Sequence, residues 1–178
     1  MLRAMNYRHA YHAGNHADVL KHIVMLALVD ALKRKDAPFF VLDTHAGRGR
    51  YMLGGQESRK TSEAAGGVFK LMGAARLPDA AERYLRAVVA NNPVGALITY
   101  PGSPLLVAQA LRSHGRLAAC ELQPEEAQAL REVFADDDRV AVHARDGYAA
   151  MKALLPPRVG EQRIARGLVL IDPPYEVQ

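Results

Sequence analysis

Four residues near the end of the chain, Asp172-Pro173-Pro174-Tyr175, bring together a carboxylate, a rigidly aimed carbonyl and an aromatic face. They follow the apolar run Leu168-Val169-Leu170-Ile171, which puts the acid at the end of a buried strand. An exocyclic amine on a flat ring, such as that of adenine, is a poor nucleophile because its lone pair is delocalised into the ring. Asp172 and the Pro173 carbonyl, accepting its two hydrogens, would localise that lone pair. Tyr175 would stack on a base swung out of its helix or loop, a contact worth about 1–3 kcal/mol. In this reading Asp172 orients and polarises the amine, which is less than full general-base catalysis. The plainer reading is a proline-stopped strand with an aromatic on the loop that follows.

Other chemistry-bearing residues recur at similar places. Asp43-Thr44-His45-Ala46-Gly47-Arg48-Gly49 is a turn whose glycines let backbone approach a ligand, or an ordinary strand-to-helix turn. No P-loop lysine follows, and no strand-end acid lies ~20 residues on, as a nicotinamide site requires. Glu121 is placed to take both hydroxyls of a ribose, or is a solvated strand-end carboxylate. Asp146 is an acceptor for an adenine amine or the N-cap of the helix after it. Ser103, before Pro104, is likewise a cap or a holder of a ligand carboxylate. Asp18, Lys21 and His22 share a helical stripe with Met25, Val29 and Leu32, so a polar group heads a stripe that turns apolar, as at a pocket mouth. Tyr7 and Tyr11 flank Arg8 and would steer a base or pack. His12 and His16 are four apart without a third spaced ligand, so no metal site is expected.

These residues need a frame. The pattern predicts a helix from about His16 to Arg34, a strand at 39–42, and helices near 63–75 and 78–91. A helix from Ser103 through Arg112, a strand at 116–120 and a helix from Pro124 follow. A strand at 140–142, a helix opened by Asp146 and a strand at 167–171 complete it. Strands alternating with helices, and apolar throughout, predict an α/β fold on a parallel sheet. Ligands of such sheets lie at the carboxyl ends of strands. Asp43, Glu121, Asp146 and Asp172 all fall at those ends.

Composition narrows the class. A chain of 178 residues with one cysteine, no tryptophan and a formal charge of +4 fits one folded domain in a reducing compartment, with cytoplasm the expected location. It excludes a disulfide framework, and no apolar run is long enough to span a bilayer. The basic bias permits nucleic acid as partner.

The chain resembles the ribosomal RNA large-subunit methyltransferase J family along nearly its whole length. The resemblance rests on Tyr7-Arg8-His9, on His12-Ala13-Gly14-Asn15-His16-Ala17-Asp18-Val19-Leu20-Lys21-His22, on Leu42-Asp43-Thr44-His45-Ala46-Gly47, on Tyr100-Pro101-Gly102-Ser103-Pro104 and on Ile171-Asp172-Pro173-Pro174-Tyr175. The last motif is shared by many amino-methyltransferases; the first two, taken together, and the fourth are more particular. The resemblance implies a class I S-adenosylmethionine-dependent methyltransferase fold, Rossmann-like, with core residues 1–52 and 93–178 and a helical insertion at 53–92. The implied activity is N6-methylation of an adenine in 23S rRNA. Implied cofactor contacts for S-adenosyl-L-methionine are His22, His45, Ser103, Glu121, Asp146, Gly147 and Asp172, with Lys21 beside them. Asp172, Pro173 and Tyr175 are the implied catalytic residues and Tyr7 the implied RNA contact. The implied partner is 23S rRNA, protein-free or in an early assembly intermediate, met by a monomer away from any membrane.

Three departures from the family pattern stand out. Arg48 puts a cation in the glycine turn, where it must point away or pair with a carboxylate. The stretch 158–166 is longer than the family's usual lead into its fourth strand. The family continues beyond the point matching Gln178, so truncation after that strand is expected to leave it as a sheet edge. Two other functions remain open on these residues: a DNA adenine-N6 methyltransferase, since the last motif does not separate RNA from DNA, and a non-catalytic RNA-binding remnant.

Overall fold

A computed structural model describes residues 12–53 and 63–173. Helix α1 (His16–Lys33) begins where Asn15 turns extended and its side chain accepts from the Asp18 N–H at 2.9 Å. Asp18 reaches back to the Gly14 N–H at 3.0 Å, so two backbone donors at the helix start are satisfied reciprocally, as in a capping box. The buried residues of α1 are Asp18, Val19, His22, Met25, Leu26 and Val29, a stripe at steps of three and four.

Four parallel strands form the sheet: β1 (Phe40–Asp43), β4 (Arg116–Glu121), β5 (Val140–Ala144) and β8 (Gly167–Leu170), in the order β5-β4-β1-β8. All four residues of β1 are buried, because strands lie on both its sides and helices cover the sheet. Alternation divides the strand between two cores. Val41 joins Leu117, Ala119, Met25, Val29 and Leu106 on one face, while Phe40 and Leu42 join Ala118, Cys120, Ala150 and Ile164 on the other. The first face is covered by α1, α5 (Ser103–Ala110) and α6 (Pro124–Val133), the second by α7 (Gly147–Leu154). Burying one leucine such as Leu117 contributes about 1.5–3 kcal/mol. β8 stands at the edge of the sheet.

Some elements differ from the sequence expectation. The helix expected at 63–75 is broken into α2 (Glu63–Gly66) and α3 (Val68–Met72). A side chain on Gly67 would stand 2.0 Å from the Gly14 carbonyl oxygen, so this glycine lets the segment approach the start of α1 and the Val68 N–H donate to Gly14 at 2.9 Å. Helix α4 (Asp79–Val89) packs against α1 and closes two residues early. Two small antiparallel pairs were not foreseen. Strands β2 (Arg50–Met52) and β3 (Thr99–Pro101) pair with Tyr51 opposite Tyr100. Strands β6 (Arg158–Val159) and β7 (Gln162–Arg163) form a hairpin in the long stretch before β8. Strands of two or three residues carry too little alternation to be recognised.

Candidate functional site

The parallel register brings the carboxyl ends of the strands level. Asp43 pairs with Ala119 on one side and Leu170 on the other. The Thr44 N–H and hydroxyl both donate to the Leu170 carbonyl, at 3.0 and 2.9 Å, tying the β1 turn to the residues just before Asp172. Two motifs 129 positions apart in the chain are thereby neighbours in space.

Asp43 is 1% exposed. One of its oxygens accepts from Ser103 Oγ at 2.6 Å and the other from the His45 N–H at 3.3 Å. Burial pushes its carboxyl up to about 6, against the opposing pull of the Ser103 hydrogen bond and the Lys21 charge. Ser103 opens α5 as its first residue after the N-cap Gly102, so its hydroxyl serves Asp43 rather than its own helix.

Asp172 lies just beyond β8, and Lys21 reaches it from α1 with Nζ at 2.7 Å from Oδ2. The same ammonium contacts Asp18 Oδ1 at 2.8 Å. Burial alone would lower the Lys21 pKa, but the two carboxylates reverse that and raise it, so the lysine stays charged.

Glu121 ends β4. Its oxygens accept from the Gly47 N–H at 2.9 Å and the Gln123 N–H at 2.8 Å, which fixes the carboxylate and leaves a lone pair on each oxygen for a further donor. Gly47 has φ +62°, a conformation that favours glycine, and a side chain there would strike the Tyr51 hydroxyl. Arg48, the cation in this turn, pairs with a carboxylate: it forks onto Glu126 of α6 at 2.8 and 2.7 Å. Asp146 is the N-cap of α7, accepting from the Ala149 N–H at 2.7 Å, and it is exposed. Gly147 packs so closely on Thr44 that a side chain would meet that carbonyl oxygen at 2.1 Å. His45 accepts or donates at Thr44 Oγ1 (2.8 Å), meets Tyr148 edge-on, and has its pKa lowered by burial, which favours the neutral ring at pH 7.

His22 lies deeper than the other site residues. It is fully buried, bonds Tyr100 through Nδ1 at 2.9 Å and stacks on that ring, and Tyr100 in turn bonds Tyr84 of α4 at 2.9 Å. This chain of hydroxyls and imidazole was not anticipated; the only trace in the sequence is Tyr100 within its motif. Nor were Asp43 as a partner of Ser103 and Glu126 as a partner of Arg48, because both contacts join distant segments. Tyr7 and Tyr175, and with them Pro174, lie outside the described residues, while Pro173 follows Asp172 at the same end of the sheet.

Carboxylate acceptors gather here, Asp18, Asp43, Glu121, Asp146 and Asp172, with the Lys21 ammonium and the His45 imidazole among them. Such a set suits a ligand that carries a positive charge and offers hydroxyl or amine hydrogens, and the narrow glycine turn allows it close to the backbone.

Comparison with known proteins agrees with this geometry. The model of the family described as "Ribosomal RNA large subunit methyltransferase D, RlmJ" matches residues 36–178. Two curated relatives are both named "Ribosomal RNA large subunit methyltransferase J". The Escherichia coli K12 protein is 45% identical over 174 residues and the Haemophilus influenzae protein 46% over 175, each alignment spanning 98% of this chain and 60% of the relative. The chain thus spans about three-fifths of the length of these relatives. A crystal structure of protein LPL1258 from Legionella pneumophila superposes with a TM-score of 0.82 at 38% identity, over 93% of this chain and 59% of that one. With its four-stranded parallel sheet of class I methyltransferase type and a match over most of its length, the chain belongs to the RlmJ family of large-subunit rRNA methyltransferases.

Proposed function

We propose that the protein transfers a methyl group from S-adenosyl-L-methionine to N6 of an adenine in 23S rRNA. The observation that carries this reading is the adjacency of the Asp43–Gly47 turn and Asp172-Pro173 at the carboxyl ends of paired strands. S-adenosyl-L-methionine would supply an electrophilic methyl on a sulfonium, and the carboxylate acceptors fit that cation. Glu121 would accept from the ribose hydroxyls with its remaining lone pairs, and Gly47 and Gly147 keep the floor of the site low. Asp146 would accept from the cofactor's adenine amine with the lone pairs its helix cap leaves. Ser103, His22 and His45 are the further cofactor contacts of this reading, and the two histidines are best read as walls of the site.

Asp172 and the Pro173 carbonyl would accept the two hydrogens of the target amine and direct its lone pair outward. Lys21 positions the Asp172 carboxylate. Tyr175 would stack on the extruded base and Tyr7 would contact the RNA. Catalysis is then chiefly alignment of amine and methyl. Segment 53–92 acts as a helical insertion in the core, supported by the β2–β3 pairing that joins its flanks. No helix among the described residues is long and apolar enough to cross a membrane, and a cytoplasmic monomer acting on protein-free rRNA or an early assembly intermediate fits the reading.

The test is transfer of labelled methyl from S-adenosyl-L-methionine to protein-free large-subunit rRNA, with duplex DNA as the control substrate. It compares this chain with one extended to the relatives' length. Transfer to rRNA that Asp172→Ala abolishes supports the proposal. Transfer to DNA alone, or none by either folded chain, overturns it.

A further inference from the structure

At the end of the sheet opposite Asp172, the β6–β7 hairpin sets Arg158 directly across from Arg163. Like charges facing each other across an antiparallel pair repel and destabilise it. Among the described residues no carboxylate forms an ion pair with either guanidinium. This hairpin lies within the stretch 158–166 that leads into β8.

The hairpin walls a cavity of about 330 Å³ lined by Pro38, Val159 and Ile164 on its apolar side and by Arg116, Arg163 and Arg166 on its polar side. Arg116 donates to the Ser113 and Gly115 carbonyls, and Arg166 to those of Leu32 and Ala37. Neutral acceptors orient these guanidiniums without cancelling their charge. Two acids are near in the chain: Asp36 is engaged by Arg112 at 3.1 Å and lies 3.9 Å from His114, and Glu161 is exposed in the hairpin turn. Cations therefore outnumber acids around an open groove with one apolar wall.

We propose that this groove is a second contact for the substrate RNA. Arg158 and Arg163 share a phosphate of its backbone, and the wall at Pro38 and Ile164 takes an adjoining sugar or base. A bridging phosphate would relieve the repulsion across the hairpin, and contacts of this kind fix orientation without reading sequence. β1, four residues long, separates this groove from the candidate site by about 13 Å of strand. The contact therefore holds RNA flanking the target rather than the target base. It rests on the reading that the substrate is rRNA.

The test is fluorescence anisotropy of a labelled, protein-free fragment of large-subunit rRNA with the 178-residue chain, repeated over a range of salt. The wild type is compared with Arg158→Glu/Arg163→Glu and Arg158→Lys/Arg163→Lys, with thermal melts confirming that each folds. The glutamate variant is expected to bind about tenfold more weakly and to flatten the salt slope by about 1, while the lysine variant keeps both. Wild-type affinity in the glutamate variant, weaker binding with an unchanged salt slope, or no RNA binding by the wild type would each overturn the proposal. Hairpin-dependent binding without methyl transfer would sink the catalytic reading and leave this contact standing. Methyl transfer with no hairpin dependence would do the reverse.

Discussion

The two ends of the parallel sheet carry opposite chemistry. At the carboxyl end, Asp43, Glu121 and Asp172 are each held by a hydroxyl, a backbone N–H or Lys21. At the amino end stand Arg116 and Arg166, whose guanidiniums donate to backbone carbonyls, and Arg112 and Arg139, which add ion pairs with Asp36 and Asp137 to such bonds. The contrast follows from chain direction. α1 runs toward the amino end of β1, so its last carbonyls are exposed there, and Arg166 and Arg112 satisfy those of Leu32 and Lys33. Acids at the other end meet the N–H groups of turns and helix starts. The acidic end is held by N–H groups, a hydroxyl and one lysine, and the basic end is anchored by helix carbonyls and two ion pairs.

The sharpest break in this contrast comes from Asp172→Asn. It removes the carboxylate that Lys21 holds and should lower methyl transfer ~10²-fold, the cost of a misplaced amine, with circular dichroism unchanged; near-normal turnover in the chain extended to the relatives' length would refute the role. Lys21→Met removes the ammonium that contacts both Asp18, 3% exposed, and Asp172. A loss on the order of 2 kcal/mol is expected in urea unfolding, because a part-buried hydrogen bond between charged groups is lost.

Asp43 tests the acidic end through pH. Its folded pKa of about 6 lies above the ordinary value of 3.8, so the folded state holds the proton more tightly than the unfolded one. The stability from this proton is complete below about pH 4 and lost as pH rises to about 6, a decline on the order of 3 kcal/mol. Asp43→Asn should remove that segment of the stability profile; an unchanged profile would show that the group titrates normally.

At the basic end, Arg166→Ala should cost about 1–2 kcal/mol, seen as a lower urea midpoint with unchanged slope. Arg48→Ala should cost no more than ~1 kcal/mol, since both partners of that pair are partly exposed. A larger loss there would mean that the glycine turn depends on the fork to Glu126.

Much of the frame was legible in the chain. Buried runs such as 39–42 and 117–120 are apolar without interruption, and Asn15, Asp146 and the prolines mark helix starts and stops, because these signals are local. The acids at strand ends were legible for the same reason. Gly67 was read as part of a helix, since nothing within its own segment reveals the approach of Gly14. The pairs Ser103–Asp43, Arg48–Glu126 and Tyr84–Tyr100–His22 join segments between 16 and 78 positions apart and leave no periodic trace.

Residue order by itself determined the class of fold, the strand ends at which acids fall, and the motifs from which the family was read, since each depends on local pattern and residue type. Tertiary structure alone decided which acid meets which donor. It set Lys21 between Asp18 and Asp172, raised the Asp43 carboxyl by burying it, and gathered the arginines at the far end of the sheet. Those outcomes depend on distance and burial in space, which spacing along a chain does not encode.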